Sequence, residues 1–532
     1  CRIASDKMCP SVWVCRLASE GIMEIQQHDP QHQAEGDLKS KGLSGGSVGL
    51  IGGIILAISC VAPAYTLTAT IGLIGSDDGT KIPVIFIAGF IPMFFAAFAY
   101  REMNKVAPDC GTSFTWTTKA FGPYIGWLGG WAAILATIIV LSNLAGVGVQ
   151  FVYQFIGDIL NNEDISNLWT NNVVNVITCV AFLAIATAVA YRGITTTERL
   201  QFVLVGFQMI VLVIFGIAAI VESSSSPTGL PFSWEWFSPA GMTLSAFIAG
   251  LSGSIFAFWG WDSALTVNEE SKDSSSTPGR AAILAVISIL LTYLLVSIAV
   301  IMYAGVGTEG IGLGNEEIAD NVFGAVAEPV LGSPWYLLLF LAVIVSSAAS
   351  LITTFLPTSR TILAMATYKA LPQTFAKVHP KYLTPSTATI TAGIGAAAFY
   401  TFLTFVSPRT LLDTIYSIGI MICFYYGLTA FACVWYFRKE AFDGFNSFLF
   451  KFLLPLLGGI GLVFVFIITL RDSYSPDYGS GAEIGGVGLV FILGVGLILF
   501  GVIIMAILRV KTPDFFKGET LRRDTPVLIP ND

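Results

Sequence analysis

Two short interruptions in otherwise apolar stretches are where this chain can do chemistry: Ser59-Cys60-Val61-Ala62-Pro63 and Phe258-Trp259-Gly260-Trp261. Proline lacks an amide donor and collides with the preceding turn, and glycine lets the backbone leave helical geometry, so each stretch frees backbone groups in apolar surroundings. Freed amides can hold a carboxylate and freed carbonyls an ammonium, each helped by the dipole of a half-helix. That chemistry is recognition of a zwitterion rather than bond making. A catalytic reading would need a nucleophile with its base, or a metal cluster, inside the apolar stretches. The three histidines, His28, His32 and His379, lie in polar segments instead. Of the eight cysteines, Cys60, Cys179, Cys423 and Cys433 sit in apolar runs, and none has metal-ligand spacing. The residues therefore predict no enzyme, no metal site and no cofactor beyond a coupling ion.

Charges within the apolar runs are few: Asp262, Arg360 and Asp413. Such charges are costly in lipid and are functional candidates by default. Asp262 and Arg360 are expected in a gate or a structural ion pair, and Asp413 as a helix-start residue in water. Ser346, Ser347, Ser350 and Thr353 offer hydroxyls that, with carbonyls of the first broken helix, suit a hard cation such as sodium. The other coupling ion to weigh is the proton.

The elements that must position these groups are membrane helices. Only 12% of the 532 residues are charged and 55% are hydrophobic, against about 25% charged in an ordinary soluble chain. A helix crossing the hydrocarbon layer needs about 20 apolar residues. The apolar runs predict an all-α membrane protein of about twelve transmembrane helices, near 47–74, 83–103, 123–152, 172–190, 199–221, 242–264, 281–305, 335–366, 387–406, 411–437, 451–470 and 484–509. The interruptions fall in helices 1 and 6. They lie five helices apart, and an odd number per unit inverts the second unit, which predicts a 5+5 inverted repeat over 43–437 with two extra helices over 438–509. Basic residues concentrate in alternate loops, leaving Lys81, Arg409 and Arg471 in the others, so both termini are expected in the cytoplasm.

Residues 1–42 read as a disordered cytoplasmic tail and 510–532 as a second cytoplasmic tail. Residues 1–22 fit neither a signal peptide nor the polar segment after them, and Met23 is the expected first residue.

Three motifs carry a resemblance. After helix 2 come Tyr100-Arg101-Glu102-Met103, then Pro108-Asp109-Cys110-Gly111-Thr112-Ser113-Phe114-Thr115-Trp116, then Phe121-Gly122-Pro123; helix 6 and its exit read FAFWGWDSALTVNEESKD; and SRTILAMATYKALPQTFAKVHPKYLTP follows helix 8. In this order they resemble the amino acid, polyamine and organocation transporter superfamily, amino acid permease type. Thr112 and Phe114 replace a glycine and a tyrosine of its pattern, and Ser-Cys-Val-Ala-Pro replaces a Gly-Ser-Gly type sequence at the first break.

The resemblance implies a carboxylate cradle at Ser59, Cys60, Val61, Ala62 and Pro63, with Phe256 as an aromatic lid. Ala257, Trp259 and Gly260 would supply contacts at the second break, Thr354 a pocket wall, and Trp261 and Asp262 gate positions beside Phe256. Gln208 stands where some proton-coupled relatives carry a lysine, and it cannot hold a proton. The expected function is secondary active transport of amino acids, neutral zwitterions above all, across the plasma membrane by alternating access. The alternatives are a polyamine or organocation transporter, or a non-transporting amino acid sensor; no repeated filter or charged ring points to a channel. The expected partners are a small-molecule substrate and the lipid bilayer, without nucleic acid.

Overall fold

The computed structural model describes residues 40–75, 79–407 and 409–528. Most of the expected tail at 1–42 lies outside these residues, but its last three are placed and Lys41 is buried.

Among the described residues, eleven helices are long and apolar enough to cross a membrane. The remaining predicted span, the sixth at 242–264, is present but divided: Leu244–Ala257 is helical, 258–262 is a turn, and Ser263–Thr266 is a single helical turn. The first span is also divided, into α1a (Leu50–Val61) and α1b (Pro63–Gly75). The core continues with α2 (Ile82–Val106), α3 (Pro123–Leu160), α4 (Asn172–Ala190), α5 (Ile194–Glu222), α6 (Leu244–Ala257), α7 (Thr277–Ala304), α8 (Leu337–Thr367), α9 (Ser386–Val406) and α10 (Thr410–Tyr436). The two extra spans are α11 (Phe445–Asp472) and α12 (Leu489–Lys511). We call the side on which α1a begins the N-terminal face.

Local sequence sets several boundaries. Gly122, at φ 92°, turns the chain between a short helix, Ser113–Phe121, and Pro123 at the first position of α3, where proline costs no hydrogen bond. α3 runs about two turns past its predicted end at 152, to a left-handed cap at Asn161. Ser166 folds back against Gly157 there, so the extension is held by its own loop. Asp413 departs from expectation: it is buried, accepting from Ser407 Oγ at 2.6 Å, Ser480 N at 2.8 Å and Ser480 Oγ at 2.6 Å. The connection between α11 and α12 covers it, and its hydrogen bonds replace the water expected around it.

α1, α3 and α10 are mostly buried, whereas α4, α5, α9 and α12 present Ile177, Ile185, Val203, Ile210, Ile394, Phe402, Leu499 and Ile503 outward. In water such surfaces would be unfavourable, and in a bilayer they face lipid. α8 packs along α3 and against α1a, which brings its hydroxyl-bearing turns to the first break.

Candidate substrate site

The first break is a single left-handed residue. Ala62, at φ 54° and ψ 67°, ends α1a with its N–H on Ile58 O at 3.0 Å, and Pro63 starts α1b without a donor. The disrupted ladder is repaired by side chains: Thr66 Oγ1 donates to Val61 O at 2.6 Å and Ser350 Oγ to Cys60 O at 2.8 Å. At the start of α1b, Tyr65 N donates to Ser346 Oγ at 3.3 Å. Ser59 Oγ donates to Gln201 Oε1 at 2.6 Å and lies 3.3 Å from Thr353 Oγ1, while Cys60 Sγ lies 3.5 Å from Thr354 Oγ1. Thus Ser59, Cys60, Ser346, Ser350, Thr353 and Thr354 share one polar seam between α1 and α8. Ser347 does not join it: a Cβ on Gly148 of α3 would stand 3.0 Å from Ser347 Cβ, so this serine faces α3.

The second break meets the first. α6 ends at Ala257, whose carbonyl accepts Tyr293 OH at 2.7 Å, and Gly260 has φ 109°. A Cβ on Gly260 would stand 3.0 Å from the Cys60 carbonyl carbon and 3.1 Å from Val61 N, so both its dihedral and its surroundings demand glycine. Phe256 is buried in the last turn of α6, and Trp259 donates from Nε1 to Tyr425 OH at 2.5 Å. Trp261, Tyr100 and Tyr426 form a triangle of rings with centroids 5.1–5.2 Å apart. Asp262, also buried, follows them in the turn, so a carboxylate does belong to the second break.

Gln201 of α5 was missed by sequence reasoning. It ties the breaks' neighbours together, accepting from Ser59 and donating from Nε2 to Ala349 O at 2.9 Å. The signal available was an amide in an apolar run; Gln208, seven residues on in the same helix, stood out only through the resemblance. Gln208 is buried too, and neither its Oε1 nor its Nε2 has a hydrogen-bond partner among the described residues.

Below the breaks, the N-terminal face is tied shut. Lys41 Nζ donates to Asp109 Oδ2 at 2.6 Å and Glu269 Oε1 at 2.5 Å, with all three side chains fully buried. Asp109 also accepts from Tyr368 OH and Thr115 Oγ1 at 2.7 Å each, and Glu269 from Cys110 N at 2.9 Å. Burial would lower the Lys41 pKa, but Asp109, Cys110, Glu269 and Tyr368 together hold it well above its ordinary value. Burial raises the Glu269 carboxyl, and Lys41 only partly offsets this; at Asp109 the ammonium and its hydrogen bonds overcome burial and bring the pKa below its usual value. Asp109, Cys110 and Glu269 have metal-type ligand atoms within 4.8 Å of one another, and the Lys41 ammonium supplies the cation between the two carboxylates.

Arg360 pairs with Glu270 through two hydrogen bonds, at 2.7 Å and 2.9 Å, rather than with Asp262. Backbone bonds finish the closure: Ser47 N and Val48 N donate to Glu270 O, and Lys272 N to Val48 O, all within 2.8–2.9 Å. On the opposite face, Phe323 N donates to Thr68 Oγ1 at 3.1 Å and the Ala319 backbone rests on Gly72 of α1b.

Two broken helices meeting back to back inside a bundle of apolar spans define a multi-pass membrane transporter. The chain belongs to the amino acid permease family, whose model matches residues 43–508. It is similar to the methylthioribose transporter of Bacillus subtilis (26% identity over 363 residues, 66% of this chain and 73% of that protein). It also resembles cationic amino acid transporter 3, mitochondrial, of Arabidopsis thaliana (25% identity over 377 residues, 68% of this chain), and the match spans 58% of that protein's length. Among solved structures, MhsT in complex with L-phenylalanine matches with a TM-score of 0.58 at 14% identity, over 79% of this chain and 98% of that one, a likeness of fold. The 5+5 arrangement with broken helices 1 and 6 and two further helices is consistent with that fold.

Proposed function

We propose that this protein is a secondary active transporter for neutral, zwitterionic amino acids, with its N-terminal face in the cytoplasm and the plasma membrane as its location. The observation that carries the reading is the contact of Gly260 with the Cys60–Val61 backbone. It places the start of half-helix α1b and the end of α6 at one point, so that the positive end of one dipole and the negative end of another serve the same ligand. Phe256 is the lid on the opposite face. The ion pairs of Lys41, Asp109, Glu269, Glu270 and Arg360 form the inner gate, with Trp261 and Asp262 just above it. Alternating access then consists of releasing this gate while the opposite face closes.

A second reading, transport of cationic amino acids or other amines, is favoured by one observation: Asp262 gives the break a carboxylate. For coupling we propose a cation held by the Cys60 carbonyl with Ser350 and Thr353, because oxygen ligands of this kind suit sodium. Uptake into proteoliposomes, with labelled leucine, lysine and putrescine competing, tests the substrate. Leucine uptake that lysine and putrescine do not inhibit is expected; putrescine transport without competition from leucine overturns it. Unchanged uptake after sodium is replaced by choline at fixed pH rejects the sodium site and leaves protons or exchange.

A further inference from the structure

A second cavity lies apart from the breaks, at the N-terminal face where the core meets the extra helices. It has a volume of about 380 Å³ and is lined by the end of α2, the start of α7 and the first turns of α11. Four of its lining residues are cations, Arg101, Lys105, Arg280 and Lys451, against one lining carboxylate, Glu102. Glu102 is shared between Arg101 and Lys105, at 2.7 Å each, and Lys451 pairs with Glu440 at 2.8 Å. Arg280 has no ion pair among the described residues. Two carboxylates for four cations leave the cluster with positive charge to spare, and α7 adds the positive end of its dipole.

The cations are held in place. A Cβ on Gly279 would stand 2.6 Å from Arg101 Cγ, so the absence of a side chain at 279 is what lets Arg101 cross α7. Its guanidinium then lies against two touching rings, 4.8 Å from the centroid of Phe98 and 4.6 Å from that of Phe450, whose centroids are 5.0 Å apart. Phe450 and Lys451 come from a π-helical stretch, Phe448–Leu453, a rare geometry that is frequent at functional sites. Beside the cavity, Phe442 and Phe445 are 71% and 76% exposed, and Phe442 joins Phe448 and Phe452 in a ring cluster with centroid distances of 5.5–5.9 Å. Exposed aromatic rings next to surplus positive charge, at the ends of membrane helices, fit the level where lipid tails give way to headgroups.

We propose that this cavity binds the phosphate headgroup of an anionic phospholipid, with Arg280, Lys451 and Arg101 on the phosphate and the Phe442 cluster against the upper acyl chain. Bound there, the lipid joins α11 to the transport core.

The test uses the full chain in nanodiscs of phosphatidylcholine containing a minor fraction of phosphatidylglycerol, reading the lipid that stays with the protein after delipidation by native mass spectrometry. Phosphatidylglycerol is expected to be retained over phosphatidylcholine, and Arg280→Gln to cut retention about fivefold, with Arg280→Gln/Lys451→Gln cutting it further, from a value of about 1 kcal/mol for each basic residue. Arg438→Gln, a basic residue outside the cavity, is expected to retain the lipid as the parent does. Arg280 is exposed, so its single substitution gives a folded comparison even where the double variant is unstable. Equal retention by the parent and Arg280→Gln overturns the proposal. So does displacement of the lipid by glycerol phosphate or inorganic phosphate at matched phosphate concentration, which identifies a soluble phosphate as the ligand.

Discussion

Gly260 and Cys60 touch through their backbones, 200 residues apart in sequence, with no room between them for a methyl group. Gly260→Ala is therefore expected to lower transport per folded molecule by at least about tenfold, because the new Cβ must either push the two breaks apart or force Gly260 from its left-handed dihedral. Uptake normalised to folded protein in proteoliposomes checks this, and parental uptake removes the contact from the transport path.

Lys41 is expected to set how often the N-terminal face opens. Removing one partner of a buried ion pair costs about 3–5 kcal/mol, so Lys41→Met should strongly increase the labelling rate of Cys110 by maleimide in a variant carrying no other cysteine. Cys110 is buried beside Lys41, and burial together with Glu269 pushes its thiol well above the usual range, which keeps it inert while the gate is closed. Unchanged labelling removes Lys41 from the gate.

The same cluster predicts a pH dependence with a definite sign. Glu269 is raised in the closed state, so closing takes up a proton, and the closed state gains stability as pH falls through the raised Glu269 value. Asp109 is lowered, so its contribution is lost only on further acidification, through its own depressed value. Mild acidification should slow Cys110 labelling relative to a solvent-exposed reference thiol, and Glu269→Gln should abolish this dependence. A dependence that persists in Glu269→Gln assigns the proton elsewhere.

Phe256→Ala is expected to reduce transport by at least about tenfold, equivalent to about 1.4 kcal/mol, while Phe256→Trp retains much of it. The ring is buried in the last turn of α6. If it serves packing alone, alanine lowers the yield of folded protein and leaves normalised uptake intact.

Labelling also tests orientation. Cysteine at Asn162 or Asn315 should react with an impermeant reagent in intact cells, and cysteine at Lys377 should not. Reaction at position 377 inverts the proposed topology.

Much of the fold was legible in the sequence because membrane helices are written in contiguous apolar runs, and breaks 1 and 6 because proline and glycine act on their own neighbours. What could not be read depends on partners far along the chain. Lys41 looked like part of a polar tail, since Asp109 and Glu269 lie 68 and 228 residues away. Gln201 finds Ser59 142 residues back, and Asp413 is buried only because Ser480 returns over it. Ser347 stood in the expected hydroxyl set, yet helical rotation turns it toward Gly148. Local pattern states that a helix carries polar groups, and packing alone decides what they face.

α1a has mechanical properties of its own. Twelve helical residues make a rod of about 18 Å at 1.5 Å per residue, pivoting on one left-handed alanine. Swinging that rod by about 10° would carry its tip about 3 Å, enough to break every bond that Ser47 and Val48 make to Glu270 and to draw Lys41 away from its carboxylates. A small torsional change at Ala62 would thus be amplified into release at the far end, and the pivot lies against Gly260 of the second break.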